Sequence, residues 1–204
     1  MNGWRLVGLL SLLLTAMSLW LLAGHGGDIE GIRLVIRATA RTSLVLFVMA
    51  FTASAMVELT PSDTTRWQRR NRRYLGVSFA VSHFIHLAAI LGLAALDREL
   101  FWKLTNPATI VLAGAAYLFI AAITATSFDR TAAWLGPRKW RLLHLFGGWY
   151  IWISFATAIG KRVPIDRFYW PMAALVLAAA IVRLIAMSRR NLRRAVLGAP
   201  EAPV

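Results

Sequence analysis

Six stretches of the chain are dominated by Leu, Ala, Val, Ile and Phe and nearly free of charge, near residues 4–23, 41–59, 74–96, 108–126, 141–159 and 168–187. Each approaches the ~20 residues a helix needs to cross a bilayer. Lys and Arg stand mostly between these runs, while Trp4, Trp20, Tyr74, Trp134, Trp140, Tyr169 and Trp170 mark their edges. Aromatic residues placed this way are interfacial anchors. The pattern predicts an all-α integral membrane protein, one bundle of six transmembrane helices over residues 1–204. Turn chemistry marks the joints: a polar, basic stretch over 60–73, Asn106-Pro107 before the fourth helix and Gly136-Pro137 before the fifth. The first run has one Arg ahead of its apolar core and small residues behind it, as a cleaved leader would, but its core is long, which favours a retained helix. The tail after Arg194 reads as a frayed end.

Composition strengthens this picture: 58% of residues are hydrophobic and 16% charged, with a mean hydropathy of +0.60. Nicotinamide, flavin or molybdenum chemistry would have to come from another polypeptide or from within the membrane, because the six runs leave no room for a soluble domain of useful size. A net charge of +14 would suggest nucleic acid in a soluble protein. Here the cations sit at helix ends, so membrane lipid is the expected partner and nucleic acid is not. Fourteen Lys and Arg fall on one face (Arg5 and those within 66–73, 130–141 and 189–194), eight on the other, and Arg183 lies inside the last run. The bias puts the first face, and both termini, in the cytoplasm. Having no cysteine, the chain has no disulfide, iron–sulfur or thiolate metal site.

Candidate chemistry is confined to few residues. His83 and His86, three apart in the middle of the third run, project from one side of a helix. They can ligate a metal together, one can ligate while the other supports it, or both can simply satisfy polar groups between helices. His144 is nearer the end of the fifth run, where an imidazole costs less, and His25 reads as solvated. Arg33, Arg37 and Arg41 form a basic stripe into the second helix, suited to carboxylates or to lipid phosphates. The acidic residues Glu58, Asp63, Asp97, Glu99, Asp129 and Asp166 lie at helix ends or in loops, which leaves no carboxylate chain for a proton relay. Gly114, Ala115 and Ala116, and the pair Gly147-Gly148, suit close helix packing. The glycine pair also suits a flat macrocycle.

Five segments in order, RATARTSLVLFVMAF, RRYLG, FIHL, TATSF and WRLLHLFGGWY, resemble the ferric reductase-like transmembrane family. They are most similar to its small bacterial branch, the haem-binding membrane subunits of methionine sulfoxide reductase systems. The resemblance covers most of residues 30–160. It implies a multi-pass protein of the bacterial cytoplasmic (inner) membrane that carries electrons through haem b from a cytoplasmic or quinol donor to an outer-face redox partner. Carried over by motif, His86 would be the third-helix ligand of an outer haem and His144 the fifth-helix ligand of an inner one. Arg72 would stand at the inner third-helix position, with Arg37 and Arg41 also available to propionates. The fifth-helix partner of His86 would fall at Thr157, which cannot ligate as histidine does. If Arg72 and His144 share a depth, His86 lies about 21 Å and His83 about 16 Å further out, too far for one iron to take His144 and either of them. Four outcomes remain: one histidine with an open site, a methionine such as Met49 or Met172 as second ligand, His83 as a substitute ligand, or a cofactor-poor subunit that binds lipid, pigment or a partner membrane protein.

Overall fold

In the computed structural model, which describes residues 2–197, the chain forms nine helices joined by short connections. They are α1 (Trp4–Ala23), α2 (Ile29–Leu59), α3 (Asp63–Arg70), α4 (Arg72–Leu96), α5 (Arg98–Leu104), α6 (Pro107–Ala125), α7 (Asp129–Leu135), α8 (Pro137–Gly160) and α9 (Trp170–Leu197), with a 3-10 turn at Arg167–Tyr169. Six segments are long and apolar enough to cross a membrane: α1, α2, α4, α6, α8 and Arg167–Arg193. The predicted frayed end falls mostly on residues 198–204, outside the described residues.

Two boundaries differ markedly from expectation, and at one of them α9 runs on to Leu197, well past the expected end at 187. The second helix begins at Ile29, about three turns before residue 41. Asp28 caps it by accepting from the Gly31 N–H at 2.7 Å, and Glu30 pairs with both Arg33 and Arg37. The cations are thereby matched on the helix itself, so the apolar pattern understates its length. Three short helices also occupy predicted connections. Ser62 and Thr65 cap α3 reciprocally, and Asp97 caps α5 through the Leu100 N–H at 2.8 Å.

α2 is the hub, packing most extensively on α4 and also touching α1, α3 and α9, while α6 packs on α8. Leu44, Phe47 and Phe51 of α2 meet Leu75 and Phe79 of α4, Ile120 of α6, Ile151 and Phe155 of α8 and Val176 of α9. Phe47 is central, with its ring centroid 5.0–5.4 Å from those of Phe51, Phe79 and Phe155. Large apolar side chains also cover the outside, among them Leu12, Leu19, Val111, Leu118 and Leu177. Such a surface suits hydrocarbon rather than water.

Between α2 and α4 runs a polar seam. Thr39, Ser43 and Ser82 are completely buried. The Ser82 hydroxyl donates to the Thr39 carbonyl at 3.2 Å, accepts from Ser43 at 3.0 Å and lies 2.8 Å from the Thr42 hydroxyl. Small hydroxyl residues let these helices approach closely and glue them. Ser82→Val is therefore expected to cost about 1–2 kcal/mol, read as a lower melting temperature in detergent; an unchanged value would mean the seam carries no such bonding.

Side-chain contacts gather one set of helix ends. The Gly3 N–H donates to Asn71 Oδ1 at 3.1 Å, Trp4 stacks on Phe128, Arg73 pairs with Asp129, and Arg190 Nε meets Glu58 Oε2 at 2.5 Å. The hydrogen bond to Arg73 holds the Asp129 carboxyl below the usual carboxylate range. These contacts bring together the cation-rich segments that the sequence assigns to one face. At the opposite end Arg41 lies 4.4 Å over the Phe168 ring.

Candidate functional site

Two faces of helical periodicity build the site. On α4, Arg72, Gly76 and Phe79 follow one another at four and three residues; on α8, His144, Gly148 and Ile151 do the same. Each trio lines one side of its helix. The two sides enclose a cavity of about 360 Å³, completed by Phe47 and Phe51 of α2, Ile120 and Ile123 of α6, and Arg183 of α9. Its volume falls in the range of cofactor and small-molecule sites.

The walls are apolar deep in the bundle and cationic toward its basic end. Arg69, Arg70, Arg72, Arg73 and Arg183 all line the cavity, and no carboxylate does. Gly76 faces open space, with no atom within 4 Å of where a Cβ would stand. Gly148 would place a Cβ 3.6 Å from the Phe51 ring. Its neighbour Gly147 plays the other role expected of the pair, since a Cβ there would lie 2.8 Å from Ile123 and 2.9 Å from Phe119. The glycines thus divide between packing and the cavity, and Gly114 contacts nothing through its Cβ position.

His144 is the cavity's imidazole. Its ring stacks on Trp140 with centroids 4.1 Å apart, and its Nε2 lies 3.3 Å from the Thr126 hydroxyl. Trp140 is fixed in turn by donating from Nε1 to the Thr126 carbonyl at 3.0 Å. With Nε2 against Thr126, Nδ1 is the ring nitrogen without a hydrogen bond among the described residues, and ligation through Nε2 would require the Thr126 contact to break. Among the described residues no group of three His, Asp or Glu side chains converges to cage a bare metal ion. A porphyrin brings its own four nitrogens and asks the protein only for axial ligands.

His83 and His86 stand elsewhere and do not line this cavity. Their rings stack with centroids 5.3 Å apart. His86 Nδ1 lies 3.0 Å from the Ile36 carbonyl and 3.2 Å from the Thr39 hydroxyl, so Nδ1 is engaged by α2. His83 is wedged among Phe79, Tyr117 and Phe155, and its buried Nδ1 has no hydrogen-bond partner. Across from this pair α8 turns Phe155 inward, while Thr157 is exposed. The bis-histidine arrangement is therefore not built at this level. Met49 and Met172 pack against the core and line no part of the cavity. Arg37 is engaged by Glu30 and Arg41 by Phe168, both toward the opposite end of α2 from the cavity. His25 sits in the α1–α2 connection, its Nδ1 3.2 Å from the Leu21 carbonyl.

Sequence reasoning passed over Gly76, Trp140 and the wall role of Arg183. The signal for the first was present: a glycine one turn after Arg72 mirrors the glycine one turn after His144. Comparison with protein-family models, characterised proteins and solved structures finds no match to this chain.

Proposed function

We propose that this chain is a multi-pass protein of the bacterial inner membrane that holds one b-type haem in the large cavity. It would serve a ferric reductase-like role, passing electrons from a cytoplasmic or quinol donor to an outer-face partner. The supporting observation is His144 on the wall of a slot that is glycine-lined and aromatic inside and arginine-lined at one end. Haem has the matching character: a flat apolar body, an iron seeking an axial ligand and two carboxylates. His144 would hold the iron, and Arg69, Arg70, Arg72 and Arg73 would meet the propionates, which guanidinium binds in bidentate fashion. When bound, the group accepts and returns single electrons. Phe47, Phe51 and Phe79 keep water from the inner part of the slot, and Trp140 holds the His144 ring in place.

Orientation follows from the cations. With the basic end cytoplasmic, as the positive-inside bias favours, the cavity faces a cytoplasmic donor and both termini lie inside. Carried by this reading, the purified protein from haem-replete cells shows a Soret band and an α band that sharpens on dithionite reduction. A spectrum with neither band sinks the proposal and favours the cofactor-poor subunit instead.

A further inference from the structure

On the far side of Arg72 and Arg183 from the large cavity lies a second, smaller chamber of about 120 Å³. Three helices form it. α9 contributes Arg183, Ala186, Met187 and Arg190, and α2 contributes Phe51, Ser54 and Ala55, each set recurring at helical spacing on one face. Arg72, the first residue of α4, closes the third side.

Two of the three cations here are poorly matched. Among the described residues Arg72 makes only a long, 3.4 Å hydrogen bond to Ser54 Oγ, and Arg183 only a 3.4 Å bond to the Phe51 carbonyl, its guanidinium lying 4.0 Å over the Phe51 ring and 5.3 Å over that of Trp149. A guanidinium has five N–H donors, so most of theirs are unused. Glu58 is committed to Arg190, and neither Arg72 nor Arg183 has a carboxylate partner among the described residues. Arg183 also lies within electrostatic reach of both other arginines. Cations so arranged inside spanning helices call for an anion.

We propose that this chamber binds a phosphate-class oxyanion, held by Arg72, Arg183 and Arg190 with the Ser54 hydroxyl as a further donor. The chamber admits a tetrahedral oxyanion and is too small for a macrocycle. It lies where α2 and the apolar part of α9 end and α4 begins, the depth of lipid headgroups, and basic pockets between helices recognise such groups. The oxyanion is either the phosphodiester of an anionic lipid or inorganic phosphate. Arg72 and Arg183 line both cavities, whereas Arg190 and Ser54 line only the small chamber, so those two positions separate this site from the larger cavity.

Thermal unfolding of the detergent-purified full chain tests this. It is followed at constant ionic strength with inorganic phosphate, with phosphatidylglycerol mixed micelles and with phosphatidylcholine micelles. Stabilisation by phosphatidylglycerol alone identifies the lipid phosphodiester; stabilisation by inorganic phosphate as well identifies the free oxyanion as sufficient. In Arg190→Gln and Ser54→Ala the concentration needed rises, by about tenfold for the arginine, the loss of one charge-assisted hydrogen bond. Arg189→Gln, which removes an exposed cation one residue away, leaves it unchanged. Any visible bands persist in Arg190→Gln, which separates failure here from failure of the haem reading. No stabilisation by either anion, or the same loss in Arg189→Gln as in Arg190→Gln, overturns the proposal.

Discussion

His144→Gly is expected to lose the Soret and α bands, and added imidazole to restore them. The remaining lone-pair donors on the cavity wall are the hydroxyls of Thr124, Thr126 and Ser127, weak ligands for haem iron, and the arginines donate only. Losing the axial ligand therefore removes the attachment of the iron rather than weakening it. Restoration by imidazole shows that the cavity is intact and that the substitution removed a ligand, not the fold. His86→Ala and His83→Ala serve as controls and should leave the bands essentially in place, because neither side chain reaches the cavity. The reverse result, bands kept without His144 and lost without His86, would move the site away from the cavity to the middle of α4 and refute the assignment.

The next largest effect is expected at Gly147. A methyl group there already meets Ile123 Cδ1 at 2.8 Å and the Phe119 ring at 2.9 Å, so α6 and α8 touch where α8 has no side chain. Gly147→Ala should cost about 1 kcal/mol, because the Ile123 terminus can shift but the ring must move with it. Gly147→Leu should cost about 3 kcal/mol or more by forcing the helices apart. Gly114→Leu, on the open side of α6, should change stability by no more than about 0.5 kcal/mol. Melting temperatures in detergent give the ranking; equal effects at the two glycines would contradict the α6–α8 packing described here.

The six long helices were legible because hydrocarbon crossing imposes length and apolarity on a run of sequence, and four of the six runs match their helices to within about one turn at each end. The second run starts late, and the sixth stops short of Leu197 where the helix continues through charged residues. Arg33, Arg37 and Arg41 made residues 29–40 look like a connection, yet Glu30 reaches two of those arginines along the same helix. Hydropathy adds residues one at a time, so it cannot credit a charge for a partner seven positions away. The short helices α3, α5 and α7 escaped because each is too short to register as a bilayer-length run; capping side chains announce α3 and α5, and none announces α7.

The histidines divide along similar lines. Periodicity correctly placed His83 and His86 on one side of α4, but it could not say what that side faces. In the folded chain it faces α2 hydroxyls and carbonyls, Tyr117 and Phe155. His144, whose spacing carried less weight, faces the cavity. Of Arg37, Arg41 and Arg72, the three arginines expected to meet propionates, only Arg72 lines the cavity, beside Arg69, Arg70, Arg73 and Arg183.

What the sequence by itself determined is a plan of six helices long and apolar enough to cross a membrane, the segments in which its cations cluster and the short list of residues able to do chemistry. Length, hydropathy and charge are local properties, read directly from neighbouring residues. Only the tertiary structure decided which of those residues share a cavity. The face of α4 bearing Arg72 and Gly76 lies across the cavity from the face of α8 bearing His144 and Gly148, with Phe47 and Phe51 of α2 lining the space between them. That arrangement depends on contacts among helices far apart in sequence, and no single helix encodes it.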